Sequence, residues 1–124
     1  MNVGYVDIDM RFFRKLIRDK MPAILAKKGK NIKTRVLEDD GEYFEWLRRK
    51  MIEELQEMTE KQNDHMFHVE RFAYLHEILF LMMAVRGIEK DEIKKAQKRI
   101  IQERGSFKKR LKILAAHLET VSNL

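Results

Sequence analysis

FHVERFAYLHEILFLMMAVR, residues 67–86, is the stretch on which the fold turns. From Phe72 to Val85 its apolar residues fall on nearly every side of a helix, and Gly87 follows as a stop. A helix of that kind must be covered all round. A chain of 124 residues has few other helices with which to cover it. Part of the surface is therefore expected to meet a second subunit, through Ile78, Leu79, Leu81, Met82 or Val85.

Upstream, a long helix is expected to start at Asp39 or Asp40 and to end near the polar cluster Lys61-Gln62-Asn63-Asp64. Its apolar stripe is Phe44, Leu47, Met51, Leu55 and Met58, spaced three and four apart. Before it, Met21 to Lys28 reads as a short helix, with Asp19 as cap, Pro22 in an early position and Gly29 as stop. Asn31 to Leu37 reads as a loop or short extended stretch. Downstream, a fourth helix is expected from about Glu89 to Glu103, and a last amphipathic segment from Arg110 to Val121 on Leu111, Leu114, Ala115 and Leu118. One proline and five glycines leave little room for the turns of a β-protein. The expected class is all-α, a bundle of about four to five helices in one domain over residues 1–124, completed by oligomerisation.

Composition removes several functions. There is no cysteine, so disulfides and thiolate metal sites are excluded. Met1 to Met10 carries Asp7 and Asp9 and no long apolar run, unlike a signal peptide. The longest apolar run, Ile78 to Val85, is well short of the roughly 20 residues that span a bilayer. A protein of a reducing compartment, the cytoplasm, with no membrane partner, is expected. The eight methionines read as core filler. His65, His68 and His76 read as surface or helix-end residues rather than a zinc site.

The net charge of +6 conceals three blocks. Residues 11–35 carry ten basic residues and one acid; residues 38–85 carry five and twelve; residues 86–112 carry eleven and four. Differently charged solvated faces would give this pattern. So would a site for a metal-bound polyphosphate, where carboxylates hold the cation and Lys or Arg holds the phosphates.

Three local patterns bear on that choice. Glu53-Glu54-Leu55-Gln56-Glu57 places carboxylates three and four apart on neighbouring turns, with Glu54 at the border of the apolar stripe. Such hard oxygen ligands suit Mg²⁺ or Mn²⁺, although a solvated helix surface carries the same run. Lys15-Leu16-Ile17-Arg18-Asp19-Lys20-Met21-Pro22 sets three cations before a helix start, which favours an anion or is simply a basic turn. Arg104-Gly105-Ser106-Phe107, followed by Lys108, is either a helix stop or a place of close backbone approach.

In this order the three segments and the apolar third helix resemble the MazG-like nucleotide pyrophosphohydrolases. The closest subgroup is the phosphoribosyl-ATP-pyrophosphohydrolase-like, or house-cleaning, one. The resemblance covers about residues 15–111. It implies an all-α fold assembled as a homodimer or higher homo-oligomer. It also implies Mg²⁺-dependent (or Mn²⁺-dependent) cleavage of a nucleoside triphosphate to the monophosphate and pyrophosphate. Carried over, Glu54 and Glu57 become catalytic candidates, and Glu53, Glu54, Glu57 and Glu77 metal candidates. Lys15, Arg18 and Lys20 become phosphate-binding candidates with Asp19 as cap or orienting group, and Arg104 and Lys108 are weaker ones. The family's third helix supplies a second motif, E-x-x-D. Aligned through Ala73 and Glu77, those positions hold Arg71 and Tyr74.

A guanidinium cannot ligate Mg²⁺, and a phenol is a poor ligand near neutral pH. Two outcomes stay open: a site rebuilt on Glu54, Glu57 and Glu77 with Glu70, or loss of the metal with Glu77 paired to Arg71 or another cation. A catalytically silent nucleotide-binding or regulatory protein is thus the alternative to the enzyme. A nucleic-acid-binding module on the basic arms is a third reading, opposed by the central acids and the lack of aromatic-interleaved basic ribbons.

Overall fold

The computed structural model describes residues 15–59 and 64–118. Among them the regular elements are all helical: α1, Met21–Lys27; α2, Asp40–Glu57; α3, His65–Val85; α4, Lys90–Arg104; and a 3₁₀ turn, Phe107–Lys109. No helix among the described residues is long and apolar enough to cross a membrane. The chain divides between Ile88 and Glu89 into two compact units, described separately.

The first unit is a helical hairpin. Asp39 starts α2 by accepting a hydrogen bond from the Glu42 amide at 2.8 Å. Asp64 does the same for α3, accepting from Met66 and Phe67. Each carboxylate satisfies amides that the first helical turn leaves without partners. The C-cap Met58 adopts extended backbone, so α2 ends at Glu57, earlier than the polar cluster expected to close it. Residues 61–63 of that cluster lie outside the described residues.

The two helices run antiparallel. Arg71 meets Glu54 and Glu57 at one end, while Arg86 lies over the Phe44 ring, 4.0 Å from its centroid, at the other. Between those ends sit Leu47 and Ile78, 1% and 6% exposed, the buried apolar residues among those described. On α3 the inward face is Phe67, Arg71, Tyr74, Ile78, Leu81 and Val85, spaced four and three apart, and each is less exposed than Phe72, Leu79 or Phe80. Ile78 therefore packs inside its own hairpin and cannot contribute to a subunit interface as the sequence suggested. The exposed apolar residues of α3 include Leu79, one of those named from the sequence, together with Val69, Phe72 and Phe80.

The inward face of α2 also departs from expectation. Leu55, a member of the expected stripe, is 50% exposed, whereas Glu54 beside it is 6% exposed. The helix is turned so that Leu47 and Glu54 share the buried side. Opposite Glu54 stands Arg71, and the opposed charges fix this phase where hydrophobic periodicity alone does not.

Segment 15–20 leads into α1, whose first turn contains Pro22. Asp19 does not cap it: the N-cap is Lys20, and the Met21 amide donates to the Arg18 carbonyl at 3.0 Å. Gly29 and Gly87, with φ of +78° and +67°, turn the chain after α1 and α3 in the left-handed region that favours glycine.

In the second unit α4 opens on a capping box, with Glu89 and Glu92 each bonding the other's backbone. The expected final amphipathic helix is absent over residues 110–118, and 119–121 lie outside the described residues. Arg110 ends the 3₁₀ turn with left-handed backbone (φ 63°), and beyond it Leu111, Leu114 and Leu118 are almost fully exposed, so the stripe that would stabilise a helix is not packed.

Candidate functional site

The first unit holds a cavity of about 580 Å³. Three pieces of chain build it. Segment 15–19 supplies Lys15, Arg18 and Asp19; α2 supplies Lys50, Glu53, Glu54 and Glu57; α3 supplies Arg71, Tyr74 and Glu77. Leu47, Ile78 and Leu81 form the apolar part of the wall, and Tyr43 adds a second phenol. The basic block and the acidic run, more than thirty residues apart in sequence, thus meet.

They meet as ion pairs. Lys15 Nζ donates to Glu53 at 2.8 Å, and Lys50 lies 3.5 Å from Glu53 and 3.6 Å from Glu54. Arg71 Nη1 is 3.4 Å from Glu54, and its Nη2 is 2.8 Å from Glu57. The result is an alternating chain, Lys15–Glu53–Lys50–Glu54–Arg71–Glu57. On the other side Arg18 pairs with Glu77 at 2.7 Å. Tyr74 joins the two groups, with the Arg18 guanidinium 4.6 Å and the Arg71 guanidinium 5.2 Å from its ring centroid. Phe67 lies 4.5 Å from Arg71 as well. Positively charged planes on aromatic faces gain from the ring quadrupole, so both rings help fix the Arg71 head.

Burial separates these pairs by strength. Arg18 and Glu77 are each 52% exposed, so water screens their attraction. The Glu54 side chain is 7% exposed and that of Arg71 20%, so their attraction acts in a poorer solvent. Burial carries a cost as well. Glu54 Oε2 and Arg71 Nε are both shielded, and neither makes a hydrogen bond within the protein.

Mg²⁺ seeks oxygen ligands in near-octahedral array at about 2.0–2.1 Å. The carboxylates do not fit that demand as they stand. The space shared by Glu54 and Glu57 contains the Arg71 guanidinium, which has donors only and cannot ligate a cation. Glu53 is engaged by two lysines and Glu77 by Arg18. Among the described residues no group of three or more His, Cys, Asp and Glu side chains is placed to hold a metal ion.

The remaining candidates divide. Lys20 and Glu70 are exposed and do not line the cavity, while Lys15, Arg18 and Asp19 do. Arg104, the last residue of α4, and Lys108, in the 3₁₀ turn, belong to the second unit. Sequence reading passed over Tyr43 and Lys50 as cavity residues. Lys50 falls three and four residues before Glu53 and Glu54, the spacing at which a helix brings opposite charges together, and that signal could have found it. Compared with known proteins, the chain matches no family model, no curated protein and no solved structure.

Proposed function

We propose that this chain is a nucleotide-binding protein on a MazG-like helical hairpin, one that binds a nucleoside triphosphate or related nucleotide without hydrolysing it through a metal. One observation carries the reading: the basic block meets the acidic helix at a single cavity, and a guanidinium stands between the two central carboxylates. In the family that the sequence resembles, Mg²⁺ offsets the charge of carboxylates and phosphates together. Here Arg71 offsets the carboxylates alone.

The cavity wall carries four cations, Lys15, Arg18, Lys50 and Arg71, against five carboxylates. An incoming phosphate must therefore draw a cation away from its partner. Arg18 is the one most easily drawn, because its pair with Glu77 is half-exposed. The phenols of Tyr43 and Tyr74, with the apolar wall, offer a surface to the base. Affinity on this basis is modest and falls as salt rises.

Calorimetry with a panel of nucleoside triphosphates, in EDTA and in Mg²⁺, together with a pyrophosphate-release assay, tests the proposal. Binding in EDTA that weakens with salt, with no pyrophosphate released, is the expected result. Failure of every nucleotide to bind overturns it. The second reading, a Mg²⁺- or Mn²⁺-dependent pyrophosphohydrolase, draws support from Glu54 Oε2, a shielded carboxylate oxygen without a hydrogen bond. Pyrophosphate release that Glu54→Gln abolishes would establish that reading instead.

The proposal includes self-association as a homodimer or higher homo-oligomer. Two buried apolar residues among those described make a small core, and Phe72, Leu79 and Phe80 are about half-exposed on α3. A cytoplasmic setting is proposed with it, on the absence of cysteine.

A further inference from the structure

We infer that residues 107–118 are a docking segment, which this chain lays on the outward face of α3 in a second copy. The inference rests on the self-association proposed above and names the element that performs it. Phe107, Leu111, Ile113, Leu114 and Leu118 are 85–99% exposed, so their own unit does not cover them. Single exposed apolar residues are ordinary, but five within twelve residues form a patch that calls for a partner. Phe107, Leu111, Leu114 and Leu118 lie four, three and four apart, a spacing that gathers them on one side of a helix. Residues 110–118 nevertheless form no helix. One so short is marginal in water until a surface is there to pack it.

Charge and area select that surface. The segment carries Lys108, Lys109, Arg110 and Lys112, and no acid lies between Gly105 and Leu118. Residues 38–85 carry twelve acids against five basic residues, and α3 within them leaves Val69, Phe72, Leu79 and Phe80 about half-exposed. An apolar strip among cations thus has its complement in an apolar strip on an acidic hairpin. Two segments, or two hairpins, set against each other would oppose charges of the same sign. Covering a large apolar side chain removes on the order of 100 Å² from water, so two exchanged segments bury about 1,000 Å² of their own. The surface beneath them carries the total past the about 1,200 Å² at which stable interfaces begin. Exchange in both directions closes as a twofold dimer and leaves neither strip open.

Two full-length variants isolate this contact, and no nucleotide enters the test. Leu111→Asp with Leu114→Asp spoils the segment and keeps the α3 face; Phe72→Asp with Leu79→Asp does the reverse. Sedimentation equilibrium in the micromolar range is expected to give a dimer for the natural protein and 15.0 kDa for each variant alone. Mixed in equal amounts the variants should associate again, because one chain keeps the face and the other the segment. With one contact restored of two, that affinity should lie at least about tenfold below the natural one. A labelled peptide of residues 105–118, followed by fluorescence anisotropy, should bind the segment variant, more weakly as salt rises, and should not bind the face variant. The peptide on the segment variant decides the matter even where the face variant does not fold. A monomeric natural protein overturns the inference and the self-association reading together. A segment variant that dimerises like the natural protein overturns the inference alone, as does one that leaves the peptide free. Cosedimentation of a monomeric natural protein with phosphatidylserine–phosphatidylcholine vesicles, lost in the segment variant, would assign the segment to a lipid surface instead.

Discussion

Phe72 is the residue on which self-association can be tested most sharply. It lies on the outward stripe of α3 and is 52% exposed. A buried aromatic side chain removes about 150–250 Å² from water, so covering the exposed half of Phe72 removes about 100 Å² more. At about 25 cal/mol per Å² that is worth about 2.5 kcal/mol. A twofold interface uses the same patch on both subunits, which doubles the figure to about 5 kcal/mol per dimer. Ordering and desolvation consume part of this, so Phe72→Ala should weaken association by at least about tenfold and by no more than about a few thousandfold. Sedimentation equilibrium across the micromolar range measures it. Ile78→Ala is the control: its side chain packs inside the hairpin, so it should lower the unfolding free energy without a specific loss of association among the molecules that remain folded. A natural protein that sediments at 15.0 kDa throughout the range refutes the assembly argument. A dimer indifferent to Phe72→Ala retains assembly but moves the interface off this stripe.

Leu47 is 1% exposed at the centre of a small core, so Leu47→Ala should cost about 2–5 kcal/mol in urea unfolding; a loss under about 1 kcal/mol would mean that the site collapses freely around the smaller residue. Arg18→Ala should lower stability by no more than about 1 kcal/mol, its pair with Glu77 being half-exposed. The same change should weaken nucleotide binding about tenfold or more through the lost charged hydrogen bond. Lys20→Ala should leave binding unchanged, because Lys20 does not line the cavity, and equal losses for the two variants would place the phosphate elsewhere. Hydrogen bonds donated by Arg48 and then Arg49 hold the Glu45 carboxyl down at about 2, from 4.5. A depressed folded-state value means that the contribution is complete above pH 4.5 and is lost as pH falls through about 2. Thermal melts of Glu45→Gln should therefore differ from the natural protein at neutral pH and converge below pH 2; a constant difference would show that the charge is not the cause.

How much of this was legible in the sequence follows from where each signal resides. The helix start at Asp39 and the stops at Gly29 and Gly87 were readable because capping and left-handed turns are decided by one or two local residues, whereas Asp64, the cap of α3, read only as part of the polar cluster closing the helix before it. Segment 110–118 shows the limit of periodicity. Leu111, Leu114 and Leu118 are spaced as on a helix, yet the backbone at Arg110 turns left-handed and no helix follows among the described residues. The candidate site divides along the same line. Glu54 and Glu57 were identifiable as neighbours from their spacing alone, and Arg71 was visible as a departure from the family pattern. What no window of one helix could give was that Arg71 and Glu54 face each other across the hairpin.

That facing sets the phase of α2, burying Glu54 and exposing Leu55. Hydrophobic periodicity ranks Leu55 above Glu54 as an inward residue, and it is right whenever the opposite surface is apolar. Here the opposite surface is a guanidinium braced by Phe67 and Tyr74, and that reverses the order. The same reversal carries the functional argument. The Glu54 carboxylate turned inward without a counter-charge would be costly, so its burial and the presence of Arg71 are one structural fact. Arg71, which in the sequence reads as a departure from a metal motif, is in the folded hairpin the counter-charge beside the buried Glu54.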